Sequence, residues 1–246
     1  MRLSGKTAIV TGGGSGFGAG IARKFAAEGA RVMVADINLE AAQVIADEIG
    51  GIAQQVDVAN GDSVRGMAQA AFGAFKTLDI LVNNAGISHM PAPMEDVSEE
   101  DFDRVLAVNA KSVYLTAKYI VPHMKGTGSG AILNVASTAG VSPRPKLNWY
   151  NASKGWMITA TKAMAIELAP DGVRVNAINP VAGETPLLKT FMGEDTPEIR
   201  AKFISTIPLG RLSTPEDMAN AALFLCSEEA SMITGVAMEV DGGRCI

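Results

Sequence analysis

The sequence predicts a doubly wound α/β fold, a parallel sheet covered by helices on both faces. Three observations predict it. Short apolar runs rich in β-branched residues alternate with longer stretches of helical period along nearly the whole chain. Seven such runs occur, and parallel strands need long crossovers, which supply the covering layers. The first run leads straight into a glycine cluster and then into a helical stretch, the order a phosphate-binding turn requires.

The expected strands are residues 7–10, 32–35, 52–56, 80–82, 131–135, 173–178 and 237–240. Helix starts are written in capping chemistry: Ser98 and Thr214 each offer an N-cap oxygen, with Asp101 and Asp217 three residues on, and Pro215 stands at the first helical position. No repeat or linker interrupts the pattern, so one domain over residues 1–246 is expected. A segment at about 183–209, with scattered Gly, Pro, Thr and Met, breaks the alternation and is the candidate substrate-covering insertion.

Composition narrows the function classes. Of the 246 residues 48% are hydrophobic and 19% charged, which excludes a disordered scaffold. A net charge of −5 with no basic block and few aromatics gives nucleic acid no footing. Two cysteines, Cys226 and Cys245, make no disulfide framework, and neither a signal-peptide core nor a membrane-length apolar run is present. A cytoplasmic protein is expected.

The turn reads Thr11-Gly12-Gly13-Gly14-Ser15-Gly16-Phe17-Gly18. Glycines let backbone approach a pyrophosphate, and the helix start behind them presents unpaired N–H groups to the anion. Asp36 closes the second strand near the ~20-residue offset at which a carboxylate receives the ribose hydroxyls of NAD. A 2′-phosphate would meet that carboxylate, and Ser15 offers no compensating cation, so NAD is expected over NADP. Asp57, ending the third strand, fits either an adenine contact or an ordinary loop.

Tyr150 and Lys154 open a helix and share its apolar stripe. A lysine on an inward face needs a reason, and next to a phenol it would pull the phenol toward a pH where it can exchange protons. Asn109 lies on another apolar stripe and must find a partner there. Ser137 follows the fifth strand, at the edge where open α/β sheets gather ligands. Arg144 and Lys146 read first as a solvated loop pair, with an acidic substrate as the alternative. His89 and His123 lack metal-ligand spacing and suit surface or loop positions; no metal is expected.

Taken in order, these pieces resemble the short-chain dehydrogenase/reductase family over essentially the whole chain: the glycine turn, Asn83-Asn84-Ala85-Gly86, the set Asn109, Ser137, Tyr150 and Lys154, then Asn179-Pro180 and Val240-Asp241-Gly242-Gly243. The resemblance implies a Rossmann-type sheet and hydride transfer between NAD(H) and a small secondary alcohol or ketone. Tyr150 would exchange the proton, Ser137 would bond the substrate oxygen, Lys154 would lower the phenol and hold the nicotinamide ribose, and Asn109 would hold a relay water. Gly12, Gly14, Ser15, Gly16, Phe17, Gly18, Asp36, Ile37, Asp57 and Val58 would form the turn and adenosine side. Asn83, Ala85 and Gly86, with Pro180, Ala182, Gly183 and Thr185, would line the rest. The family usually has Pro-Gly where this chain reads Pro180-Val181-Ala182-Gly183, which leaves the path to Thr185 open. Alternatives are an NADPH-dependent 3-oxoacyl carrier-protein reductase and a silent NAD-binding sensor. The family is commonly tetrameric, and Tyr114, Leu115, Trp156 and Met164 widen two helical stripes in a way that suits subunit packing.

Overall fold

A computed structural model describes residues 1–246. Seven strands, β1 (Thr7–Thr11), β2 (Arg31–Asp36), β3 (Ile52–Gln55), β4 (Ile80–Asn83), β5 (Gly130–Val135), β6 (Val173–Pro180) and β7 (Ala237–Val240), form one sheet in the order β3-β2-β1-β4-β5-β6-β7. Every pairing is parallel. All seven expected strands form, with ends shifted by a residue or two.

Because side chains alternate across a strand, each strand feeds two cores. Ala8, Val10, Val32, Val34, Ile80 and Val82 pack under α1 (Gly16–Ala27), α2 (Leu39–Ile49) and α9 (Pro215–Cys226). Ile9, Met33, Leu81 and Ile132 face α3 (Gly61–Phe75), α5 (Ser112–Thr127) and α6 (Asn148–Leu168) on the other side. These strands are buried on both faces, which is why they read as continuous apolar runs. Chain order reverses between β1 and β4, so the crevice beyond their C-terminal ends is where this architecture takes ligands.

Caps and bends place the helices. Asn38 and Asn60 accept N–H bonds at the starts of α2 and α3, and Gly50 and Gly128 end α2 and α5 in the left-handed region. At α9 the capping box is complete: Thr214 Oγ1 accepts from the Asp217 N–H and the Asp217 carboxylate accepts from the Thr214 N–H. At α4 (Glu99–Leu106) only half of it forms, because Asp101 turns to Arg104 instead. Between α4 and α5, residues Ala107–Lys111 widen to π-helical turns and carry Asn109. Residues 183–209 hold two short helices, α7 (Leu187–Met192) and α8 (Pro197–Ile204), around a small apolar cluster that includes Leu188, Met192 and Ile207.

Two expectations on surface residues change. Leu115 is buried against α3 and so is not available for subunit packing, whereas Tyr114 and Trp156 are exposed. His123 lies within α5, where it stacks on Phe72 at 4.2 Å, while His89 keeps the expected loop position, buried there with Nδ1 against the Met90 carbonyl. No helix is long and apolar enough to cross a membrane.

Candidate active site

A cavity of about 840 Å³ lies along the C-terminal edge of the sheet, from Asp36 and Asp57 at one end to Arg144 and Arg244 at the other. The glycine turn forms its floor. Gly12 has a positive φ of 62°, and a Cβ there would sit 2.9 Å from the Ala85 Cα; a Cβ on Gly18 would come within 2.1 Å of the Gly12 carbonyl oxygen. Only hydrogen fits at either position. Gly14 and Gly18 shape the turn from behind, while Gly12, Ser15, Gly16 and Phe17 line the cavity.

Helix α1 starts at this floor without a side-chain cap on its N–H groups and without an acidic residue in its first turn. Its first amides and its dipole are therefore uncommitted, as an anion site requires. Asp36 stands beside it: Oδ2 accepts from the Gly14 N–H at 2.9 Å and Oδ1 from the Asn38 N–H at 3.0 Å. The strand-end capping role and an oriented carboxylate thus coexist in one residue. Ile37, Asp57 and Val58 complete this end, Asp57 also accepting from the Ala59 N–H. A turn cleared of Cβ atoms, an open helix start and a fixed carboxylate fit an adenine dinucleotide.

Asn83 departs from expectation. Its side chain faces away from the cavity, donating to Asn134 Oδ1 and accepting from Thr116 Oγ1, each at 2.9 Å. Asn134 in turn donates to Thr161 on α6. This buried chain fixes α5 and α6 against β4 and β5. Its neighbour Asn84, overlooked in the sequence, lines the cavity and donates to the Thr11 and Gly12 carbonyls.

The four central side chains converge. Tyr150, Lys154, Ser137 and Asn109 are 4%, 4%, 9% and 0% exposed, and the first three line the cavity. Ser137 Oγ accepts from the Ala139 N–H at 3.0 Å, leaving its own hydrogen uncommitted on the cavity wall it shares with Tyr150. Burial pushes the Tyr150 phenol up to about 12, against the Ser137 hydrogen bond and the Arg144 charge, which both draw it down. Lys154 Nζ donates to the Val135 carbonyl at 2.9 Å and lies 5.9 Å from the Tyr150 ring centroid. Burial draws this amine down to about 8. Lys154 thus lies beside the ring with its head bonded toward β5, and Arg144 is a second cation whose charge draws the phenol down.

The Asn109 side chain is bonded at both ends. Its Oδ1 accepts from the Ile87 N–H, and its Nδ2 donates to the Ile87 carbonyl and to Ser153 Oγ, all at 2.9 Å. This side chain anchors the Gly86-Ile87 strand exit to α6. A Cβ on Gly86 would lie 3.3 Å from Lys154 Nζ and 3.4 Å from Asn109 Oδ1, so that glycine sits between the two.

The displaced glycine after β6 also has its reason. A Cβ at Gly183 would sit 2.4 Å from the Phe17 ring and 2.5 Å from Ser213 Oγ. Ala85, Pro180, Ala182, Gly183 and Thr185 all line the cavity, and the Thr185 side chain packs over Gly16. Glu184 points out to Arg200 on α8. Beyond Tyr150 the wall is aromatic and basic: Phe191 stacks 5.1 Å from the Tyr150 ring, and Arg144 lies over Phe191 and Phe203. Arg144 is thus a half-buried wall of the cavity, not a solvated loop residue, while Lys146 is exposed.

Fold and site together define a nicotinamide-dependent oxidoreductase of the short-chain dehydrogenase/reductase family, to which this chain belongs. A family model described as enoyl-(acyl carrier protein) reductase matches residues 12–244. The chain is 50% identical over 252 residues to 4-formylbenzenesulfonate dehydrogenase of Comamonas testosteroni, covering 100% of both chains. It is 38% identical to D-threitol dehydrogenase of Mycolicibacterium smegmatis, covering 100% of this chain and 95% of that one. Among solved structures, a 3-ketoacyl-(acyl-carrier-protein) reductase from Brucella melitensis complexed with NADH superposes with TM-score 0.95 at 51% identity, over 99% of this chain and 100% of that chain.

Proposed function

We propose that the protein is an NAD-dependent dehydrogenase that interconverts a small alcohol and its carbonyl compound. The observation that carries this reading is that the buried Tyr150, Ser137 and Lys154 line the same cavity as the glycine turn and Asp36. Bound nicotinamide supplies the carbon that takes or gives the hydride. In oxidation Tyr150 Oη takes the hydroxyl proton as the hydride leaves the carbinol carbon, and in reduction it returns that proton to the carbonyl oxygen. Ser137 Oγ donates its hydrogen to the same oxygen and stabilises the charge that develops on it. Lys154 keeps N–H donors beyond the one given to Val135, and these are available to the nicotinamide ribose.

Preference for NAD over NADP rests on Asp36, because no lysine or arginine lines the adenosine end where a 2′-phosphate would lie. Helices α7 and α8 cover the substrate end as the lid of one domain. A cytoplasmic homotetramer is the state the family resemblance supports, with exposed Tyr114 and Trp156 in its interfaces.

A competing reading, a 3-oxoacyl carrier-protein reductase, is favoured by the description of the Brucella neighbour, whose bound NADH also suits Asp36. A panel of alcohols, ketones and 3-oxoacyl thioesters, followed at the reduced-nicotinamide absorbance with NADH and NADPH, separates the two. The expected result is NADH-dependent turnover of a simple ketone, cut about 10²- to 10⁴-fold by Tyr150→Phe with NADH binding kept. Turnover confined to acyl thioesters, a strong NADPH preference, or an active Tyr150→Phe protein would each defeat it.

A further inference from the structure

Arg144, Arg244 and Lys202 all line the substrate end of the cavity, and none of them takes part in the chain's ion pairs. The chain as a whole is acidic, at −5, yet the two carboxylates lining this cavity, Asp36 and Asp57, lie at its opposite end. Arg144 is the best held of the three cations. Its guanidinium lies 4.8 Å from the Phe203 ring centroid and 5.8 Å from that of Phe191, and its carbonyl accepts from Asn151 Nδ2 at 2.7 Å. Phe191 is also the ring next to Tyr150, at 5.1 Å. One aromatic ring therefore separates the proton-exchanging phenol from an unpaired, partly desolvated arginine. Burial disfavours the Arg144 cation, the neighbouring Tyr150 offsets part of that and the Arg244 charge adds to it, a net cost that a bound anion would offset.

We infer that the substrate is an anionic aromatic alcohol or carbonyl compound, its ring lying against Phe191 and its carboxylate or sulfonate held by Arg144, with Arg244 and Lys202 adding charge. The inference rests on the alcohol/carbonyl reading above and deepens it. An aromatic body suits the Phe191 and Phe203 walls, and a planar two-oxygen anion matches the guanidinium fork. In the reduction the hydride adds to the carbonyl carbon, Tyr150 gives the proton to its oxygen, and the anionic group is unchanged.

The test uses 4-acetylbenzoate and its uncharged counterpart acetophenone. Their affinities for the NAD⁺-loaded protein, in which neither ketone can react, are measured by calorimetry for the wild type, Arg144→Met and Arg144→Lys. The expected wild-type preference for the anion is about tenfold to a hundredfold. It should vanish in Arg144→Met, survive in part in Arg144→Lys, and shrink with added salt in the wild type. Because both ketones meet the same Tyr150, a ratio of affinities cancels any effect of Arg144 on the phenol. Equal wild-type affinities, no detectable binding of 4-acetylbenzoate, or a preference untouched by Arg144→Met would overturn the inference. Turnover of acetophenone with NADH, measured in parallel, tests the underlying reading separately from the anion preference.

Discussion

Lys154 shows how a single buried side chain can cost stability and serve chemistry. Its amine is 4% exposed, has no carboxylate partner, and is drawn down to about 8 from the usual 10.5. Below about pH 8 the folded protein must hold an ammonium that the unfolded chain leaves in water. That cost is fully present there, fades as pH rises, and is gone above 10.5. It amounts to about 3 kcal/mol. Urea titrations of the wild type and Lys154→Met across this range should therefore show wild-type stability gaining on the variant from pH 8 to pH 10.5, while the variant loses turnover; a constant difference would contradict it. The pair was legible in the sequence because four residues on a helix is a fixed geometric distance. That a loop arginine also acts on the phenol was not, because Arg144 comes from a segment outside the helix register.

Among the elements, α9 touches no part of the site yet supports it. A Cβ on Gly20 of α1 would lie 2.6 Å from Pro215, so the start of α9 packs tightly on the helix whose own start closes the glycine turn. The reciprocal box at Thr214 holds that start, and Arg211 braces Asp217 from outside. Replacing Thr214 by alanine should lower unfolding stability by about 1–2 kcal/mol. Ser98→Ala removes only a one-way cap and should cost less. Chemical denaturation of the two variants measures this order, and an equal or reversed loss would refute the account. Both caps have the same sequence signature, Ser or Thr with Asp three residues on. Arg104 within α4 takes the Asp101 carboxylate, a competition that residue spacing at the cap does not reveal. The π-helical widening at Ala107–Lys111 was equally hidden, although Asn109 on an apolar stripe marked the place where a polar partner had to be found.

For the whole molecule, the sheet order puts the reversal between β1 and β4, and the glycine turn, Asp36 and Ser137 reach one crevice from different strands while Tyr150 reaches it from α6. The exposed side chains Tyr114 and Trp156 lie on α5 and α6, the same helices that carry the reactive groups' scaffold, so a subunit interface there would brace the site from behind. Light scattering should give the mass of four 25.6 kDa chains, and Tyr114→Glu combined with Trp156→Glu should lower it. A monomeric wild type, or a tetramer indifferent to both charges, would remove this face from the assembly.

What the sequence determined by itself is what short-range stereochemistry encodes. Strand and helix periods, the glycines that let backbone close on backbone, the capping pairs, and the Tyr150–Lys154 spacing are all properties of neighbours along the chain. Tertiary structure alone decided the rest. Asn83 and Asn84 are adjacent and chemically alike, but the pleat turns one into the α5–α6 core and the other to the cavity. Arg144, Phe191, Phe203 and Arg244 come from three separate segments, so their meeting beside Tyr150 depends on how α7, α8 and the chain end fold back over the sheet. Charge and aromatic surface acquire a chemical meaning only when such distant segments share one enclosed space, because desolvation and proximity are properties of the folded volume and not of the chain's order.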